Sequence, residues 1–328
     1  VTAIVALYVG IVLWLTWPLG AHLNTHLAAV QDACRFDTLY STWVLAYETH
    51  ALTTTPATLP DANIFSPTRH ALFYGPNGFG ALPFFAPTFL VTGNPTLAVN
   101  LMYLLAVAST AVALHWVVWR WTGSHLAGLA AAWTFLTTRW VLWEWLPTAP
   151  HAAVLVYLPL IVFLAARPLE GLGDTLRLAA LVALQCLTEI AYVAPVVLGP
   201  LVLLALARLV RRRTRFAGLA LLAVVALAAI VLLPMLAGYE TVAHANPGLR
   251  RQTLWRMGWS RLEVPWGPFE WFTPFTAAPL AFVLVLVGGL VRRFARDGAA
   301  SRSVAWMHAS FWLLIGFTIS LTPEMSWH

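Results

Sequence analysis

Apolar residues in this chain run in long blocks and do not alternate with polar ones at the period of a half-buried strand. Blocks approaching the ~20 residues that a spanning helix needs recur at 1–18, 95–119, 125–140, 152–166, 176–191, 193–209, 216–237, 279–291 and 303–321. They predict an all-α polytopic membrane protein of about nine transmembrane helices, with 1–328 as a single transmembrane domain. The segment 79–91 is apolar but short and holds Pro83 and Pro87, which predicts a re-entrant or interfacial piece. Polar positions gather in two long connections, 20–79 and 238–278. Inside the first, Leu39, Trp43, Val44, Tyr47 and Ala51 fall on one face of a helix, predicting an interfacial helix over 38–52 with its aromatic rings at headgroup depth. Asp37 then stands at its N-terminus, as a cap or as a free carboxylate favoured by the helix dipole.

Composition removes several classes of function. Of 328 residues, 60% are hydrophobic and only 10% charged, against ~25% charged in ordinary globular domains, so a soluble enzyme, a nucleic-acid binder and a disordered chain all fit badly. The net charge of +6 comes entirely from arginine, since the chain has no lysine. Twelve of the 19 cations lie in one alternate set of short connections, including the run Arg211 to Arg213, and seven in the longer set. The dense set is expected to be cytoplasmic. Acids divide the other way: ten of the 13, among them Asp32, Asp37, Glu48, Glu144, Glu189 and Glu240, fall on the opposite side with both long loops. Carboxylate chemistry is therefore expected on the outer face. Cys34 and Cys186 predict neither a disulfide framework nor a metal cluster. The opening block lacks a basic n-region and a small-residue cleavage site, and is expected to be a first span with its start missing, not a signal peptide.

Several residues could carry chemistry. The stretch 61–76, with Asn63, Phe65, Arg69, His70 and Tyr74, suits a sugar, and suits a tightly folded surface loop equally well. Arg139 could take a phosphate charge or could snorkel and pair with Glu144. Arg250, Arg251, Arg256 and Arg261 could hold a phosphate or lipid headgroups. Glu189 is either an acid at membrane depth or one just outside the hydrocarbon. His151 and His244 could join Asp37 or Glu240 on a metal, but no HExxH motif is present, so no metal ligand set is expected and a divalent ion is left open.

The run 16–23 (Thr-Trp-Pro-Leu-Gly-Ala-His-Leu), Asp37 followed by 43–46 (Trp-Val-Leu-Ala) and His50-Ala-Leu, and 61–65 (Asp-Ala-Asn-Ile-Phe) with Pro67 resemble the bacterial GT-C-type integral membrane glycosyltransferases. The likeness continues in Gly93-Asn94-Pro95, Asn100, Thr122-Gly123-Ser124, Ala183-Leu-Gln185, Tyr192, Tyr239 and Trp271-Phe-Thr-Pro274. It implies a multi-pass protein of the bacterial inner membrane, active on its outer face. The implied reaction moves a sugar from a polyprenyl-phosphate donor to a glycan, lipid or protein acceptor, with the first-loop Asp as general base. Asp37 holds that position, although relatives usually read Gly-Asp-Pro where this chain has Phe36-Asp37-Thr38, so Asp32 is the substitute. Arg139, Glu144, Glu189, His50, Asn63, Tyr192, Arg250 and Arg251 are the residues expected around donor and phosphate. Relatives generally continue beyond the equivalent of His328, so a longer protein is expected. A transporter or flippase, and a scaffold that keeps the fold without catalysis, are the competing readings.

Overall fold

The computed structural model describes residues 2–28, 35–137, 141, 145–190, 193–210 and 212–246. All regular structure among them is helical, with no strand. Contacts separate the chain into one compact unit, Val1–Gly238, and a second, Tyr239–His328.

The first unit is organised on one long helix. Its α-helices are α1 (Thr2–Leu15), α2 (Arg35–Thr54), α3 (Leu82–Thr92), α4 (Pro95–Thr122), α5 (His125–Leu136), α6 (Trp145–Thr148), α7 (Tyr157–Ala165), α8 (Leu172–Cys186), α9 (Val193–Leu209) and α10 (Arg215–Ala245), the last running across the boundary. The sequence punctuates α4 at both ends. Asn94 caps it by accepting from the Leu97 N–H at 3.0 Å, Pro95 takes the first helical position where no N–H is needed, and Gly123 ends it at φ 73°. Its 28 residues give a length of about 42 Å, and 67% of its most apolar stretch is buried against α1, α3, α5 and α7. Thus α4 is the core element, not a peripheral one.

By length and composition, α4 and α10 are long and apolar enough to cross a membrane. Seven of the nine expected blocks fall wholly or mostly among the described residues and each contains a helix there; 279–291 and 303–321 lie outside them. The shorter helices stop where the chain changes chemistry. The block 152–166 becomes helical only from Tyr157, because 150–153 turns as a 3-10 helix around the buried His151. The piece 79–91 is a 3-10 turn, Phe79–Ala81, leading into the 11-residue α3.

Polar groups fasten α1 and the first loop to this core. Tyr8 on α1 is hydrogen-bonded to His115 on α4 at 2.8 Å, and His115 to His125 at the start of α5 at 3.0 Å. Gly128 on α5 leaves room for the His115 ring, which a Cβ would meet at about 3 Å. Buried Asn100 donates to the carbonyls of Leu23 and His26, both at 2.7 Å, and so ties the chain leaving α1 to the start of α4. Many large apolar side chains meanwhile face outward, among them Leu7, Trp14, Leu203, Ile230, Leu233 and Leu236.

The helix expected over 38–52 is α2, two to three residues longer at each end. Leu39 and Leu52 are exposed, whereas Thr38, Ser41, Thr42, Val44, Leu45, Glu48, Thr49 and Ala51 are buried. A polar face can turn inward because its hydroxyls bond to the backbone. Thr42 donates to the Thr38 carbonyl and Thr49 to the Leu45 carbonyl, both at 2.8 Å, so neither is left unsatisfied.

Candidate functional site

The expected base, Asp37, is the third residue of α2 and is exposed. Its carboxylate makes no hydrogen bond or ion pair among the described residues, so it does not act as a side-chain cap. Partial burial pushes its pKa above the ordinary carboxylate value. Its neighbour Thr38 turns the other way and donates to the carbonyls of Pro147 and Thr148 at 3.2 and 3.4 Å. On the same connection Val141 is buried, and its carbonyl accepts from the Tyr103 hydroxyl at 2.9 Å. The first turn of α2 is therefore docked on the segment that follows α5.

Other expected site residues are spread widely. His50 is exposed near the far end of α2, 13 residues and about 20 Å along the axis from Asp37. Asn63 is exposed in a loop closed by Asp61, whose Oδ1 accepts the His70 N–H at 2.8 Å. Phe65 and Tyr74 bring exposed rings to 5.7 Å in that loop. Asp32, Arg139, Glu144, Tyr192, Arg250 and Arg251 lie outside the described residues.

Glu189 is the exception, and it leads to a site that periodicity does not reveal. It is buried, and His151 Nε2, also buried, donates to its Oε2 at 3.1 Å. Nearby Gln185 donates to the Val154 carbonyl at 3.0 Å and to the Thr188 hydroxyl at 3.2 Å. From α2 comes Glu48, fully buried, with Oε1 accepting from the Gly78 N–H at 3.1 Å. Among the described residues its Oε2 has no partner, nor do His151 Nδ1 and Gln185 Oε1. Burial pushes the Glu48 pKa up to about 8, against the opposing effect of the Gly78 N–H, so this carboxyl is mostly protonated at neutral pH. Tyr40 sits within electrostatic reach of both acids: burial first, then Glu48 and Glu189, raise its pKa.

The loop 75–80 (Gly-Pro-Asn-Gly-Phe-Gly) packs into this cluster because its glycines have no side chain. A Cβ on Gly75 would strike the Tyr40 hydroxyl, and one on Gly78 would meet Leu45 Cδ2 at 2.6 Å and His151 Cβ at 3.1 Å. Gly80 is the tightest, donating to the Leu187 carbonyl at 2.9 Å while its own carbonyl accepts from Tyr157 at 3.3 Å. A Cβ there would collide with the Leu184 carbonyl oxygen and lie 2.6 Å from the Thr188 nitrogen, both backbone atoms with nowhere to retreat. Gly80→Ala should therefore cost about 3 kcal/mol. Gly10→Ala, with nothing within 4 Å, is the matched control, and thermal unfolding of the two variants checks the difference.

The glycine spacing and Glu189 were the available signals for this cluster, but the sequence pairs neither with Glu48 or His151, which lie 141 and 38 residues from Glu189. Among the described residues no group of three or more His, Cys, Asp or Glu converges, His22 and His26 included, although their rings are 4.8 Å apart at i, i+4 spacing. In the second unit His244 pairs with Glu240 at 2.8 Å across one turn of α10, with both side chains exposed. Comparison of the chain with protein-family models, with curated proteins and with solved structures finds no match.

Proposed function

We propose that this chain is a multi-pass glycosyltransferase of GT-C type in a bacterial inner membrane, moving a sugar from a polyprenyl-phosphate donor to an acceptor on the outer face. The observation that carries the reading is Asp37: an exposed, unpaired carboxylate with a raised pKa, on the first turn of a helix held by buried contacts. A general base needs that combination of access and rigid support. Two long apolar helices, outward-facing apolar side chains and the separation of arginines from acids support the membrane layout, with about nine spans.

In this reaction the acceptor hydroxyl oxygen forms a bond to the anomeric carbon while the bond from that carbon to the phosphate oxygen breaks. The hydroxyl proton passes to Asp37, and the bonding electron pair leaves on the polyprenyl phosphate. That growing negative charge needs fixed cations, for which Arg139, Arg250 and Arg251 are the candidates. Glu189, expected near the donor, is buried and paired with His151 at 3.1 Å.

The buried acids favour one other reading, a lipid or sugar transporter, since ionisable groups inside a membrane protein often mark a transport path. A single assay separates the two. Membranes holding the full chain are supplied with a panel of radiolabelled polyprenyl-phosphate sugars. The transferase reading expects polyprenyl phosphate to be released as label enters a new product. Movement of intact donor across the bilayer without release would overturn it in favour of transport.

A further inference from the structure

At the Gly123 end of α4 the structure holds an open groove of about 270 Å³ between α4, α7 and α8. Its walls are apolar: Trp116 from α4, Leu160, Phe163 and Leu164 from α7, and Leu181 from α8. Two arginines stand in the same lining, Arg120 in the last turn of α4 and Arg167 just beyond α7, and both are exposed. The Arg167 guanidinium lies over the Phe163 ring, 4.5 Å from its centroid, and Trp116 meets the same ring edge-on at 4.7 Å. This cation–π contact holds the guanidinium against the apolar wall.

Neither arginine has a hydrogen-bond acceptor or a carboxylate partner among the described residues. Two of the nearby acceptors are already engaged. Arg208 donates to the Ala165 carbonyl at the end of α7 at 2.6 Å, and Asp174 is paired with Arg177 at 3.6 Å. Placement at helix C-termini accounts for a positive charge at each position, because the helix dipole favours it. It does not account for an apolar groove between them.

We infer that Arg120, Arg167 and the groove they flank form a binding site for an anionic phospholipid, with the headgroup phosphate on the two guanidinium groups and the first part of an acyl chain in the slot lined by Trp116, Phe163 and Leu181. Charge complementarity selects the occupant: two guanidinium groups with no carboxylate partner among the described residues suit an anion, and the hydrocarbon walls beside them suit one that carries an apolar chain. The inference rests on the membrane part of the proposed function and is independent of the sugar-transfer chemistry.

The test uses the full chain. Membranes are first washed with alkaline carbonate, and the protein is then purified in detergent and titrated with phosphatidylglycerol or phosphatidylcholine of identical acyl chains, followed by native mass spectrometry. The expected result is retention of phosphatidylglycerol at about tenfold lower lipid concentration than phosphatidylcholine. The preference should be lost in Arg120→Gln/Arg167→Gln, whose exposed side chains can change without disturbing the core. Leu181→Trp, which fills the slot, should weaken both lipids. Inorganic phosphate at millimolar concentration should not displace the lipid; if it does, a free anion is the ligand and the lipid site is overturned. Equal retention of the two lipids, or an unchanged preference in the double variant, also overturns it while the membrane reading stands. Release of the chain by carbonate overturns the membrane reading, and the lipid site with it.

Discussion

Asp37→Asn is expected to slow sugar transfer by about 10²–10⁴-fold, the range that a positioned general base contributes. The substitution keeps the shape of the side chain and removes only its ability to take a proton. Asp37 makes no hydrogen bond among the described residues, so the variant should unfold at the wild-type temperature. The pH dependence supplies a second readout. The base must be ionised, so the wild-type rate should fall as pH drops through the Asp37 pKa, which partial burial holds above the ordinary carboxylate value. The residual rate of Asp37→Asn should lack that acidic limb. Initial rates of polyprenyl phosphate release between pH 4 and 8 would show both effects. A variant as fast as wild type would remove Asp37 as the base and move attention to Asp32, five residues earlier.

Glu48 should make the stability of the protein fall as pH rises. In the unfolded chain its carboxyl loses its proton near 4.5, whereas in the folded protein burial delays this to about 8. Below the lower value both states are protonated and the group adds no pH dependence. Between the two values the folded state binds more protons than the unfolded one, so stability declines with rising pH, and above the upper value the loss is complete. The shift corresponds to a loss on the order of 5 kcal/mol. Glu48→Gln keeps a neutral group that can still accept from the Gly78 N–H, and should remove the decline. Thermal unfolding in detergent between pH 5 and 8.5, followed by tryptophan fluorescence, tests this. The wild type should lose several degrees over that range relative to Glu48→Gln. Parallel curves for the two proteins would refute the assignment.

The helical class was legible because every level of the sequence pointed the same way: long apolar blocks, few charges, and caps such as Asn94-Pro95 and Ser124 placed at helix starts. The existence of α2 was legible from its period, but the burial of its hydroxyl-bearing positions was not. A hydrophobic pattern carries no sign that threonines are buried, and this helix buries Thr42 and Thr49, whose hydroxyls serve its own carbonyls. The candidate base could be located from resemblance alone, since a lone Asp at a helix start reads equally as a cap. Glu48, His151 and Glu189 were all visible as residues. Their assembly was not, because it depends on the Gly75–Gly80 loop approaching α8 so closely that Gly80 bonds to the Leu187 carbonyl. Spacing along the chain holds no trace of such a backbone approach.

The inward face of α2 also has a consequence for its rotation about its own axis. Threonines that turn their hydroxyls back to the helix present methyl groups outward, so to a neighbouring helix this face is nearly as much hydrocarbon as the face bearing Leu39 and Leu52. Packing alone therefore distinguishes weakly between azimuths of the helix. What fixes the angle is a few directional bonds spaced along it: Thr38 to the 147–148 carbonyls at one end, Glu48 to the Gly78 N–H further along, and the Tyr47 hydroxyl to the carbonyls of Thr58 and Leu59 at 3.2 and 3.3 Å. Together they act as pins on a smooth shaft, and the direction in which Asp37 points is set by them.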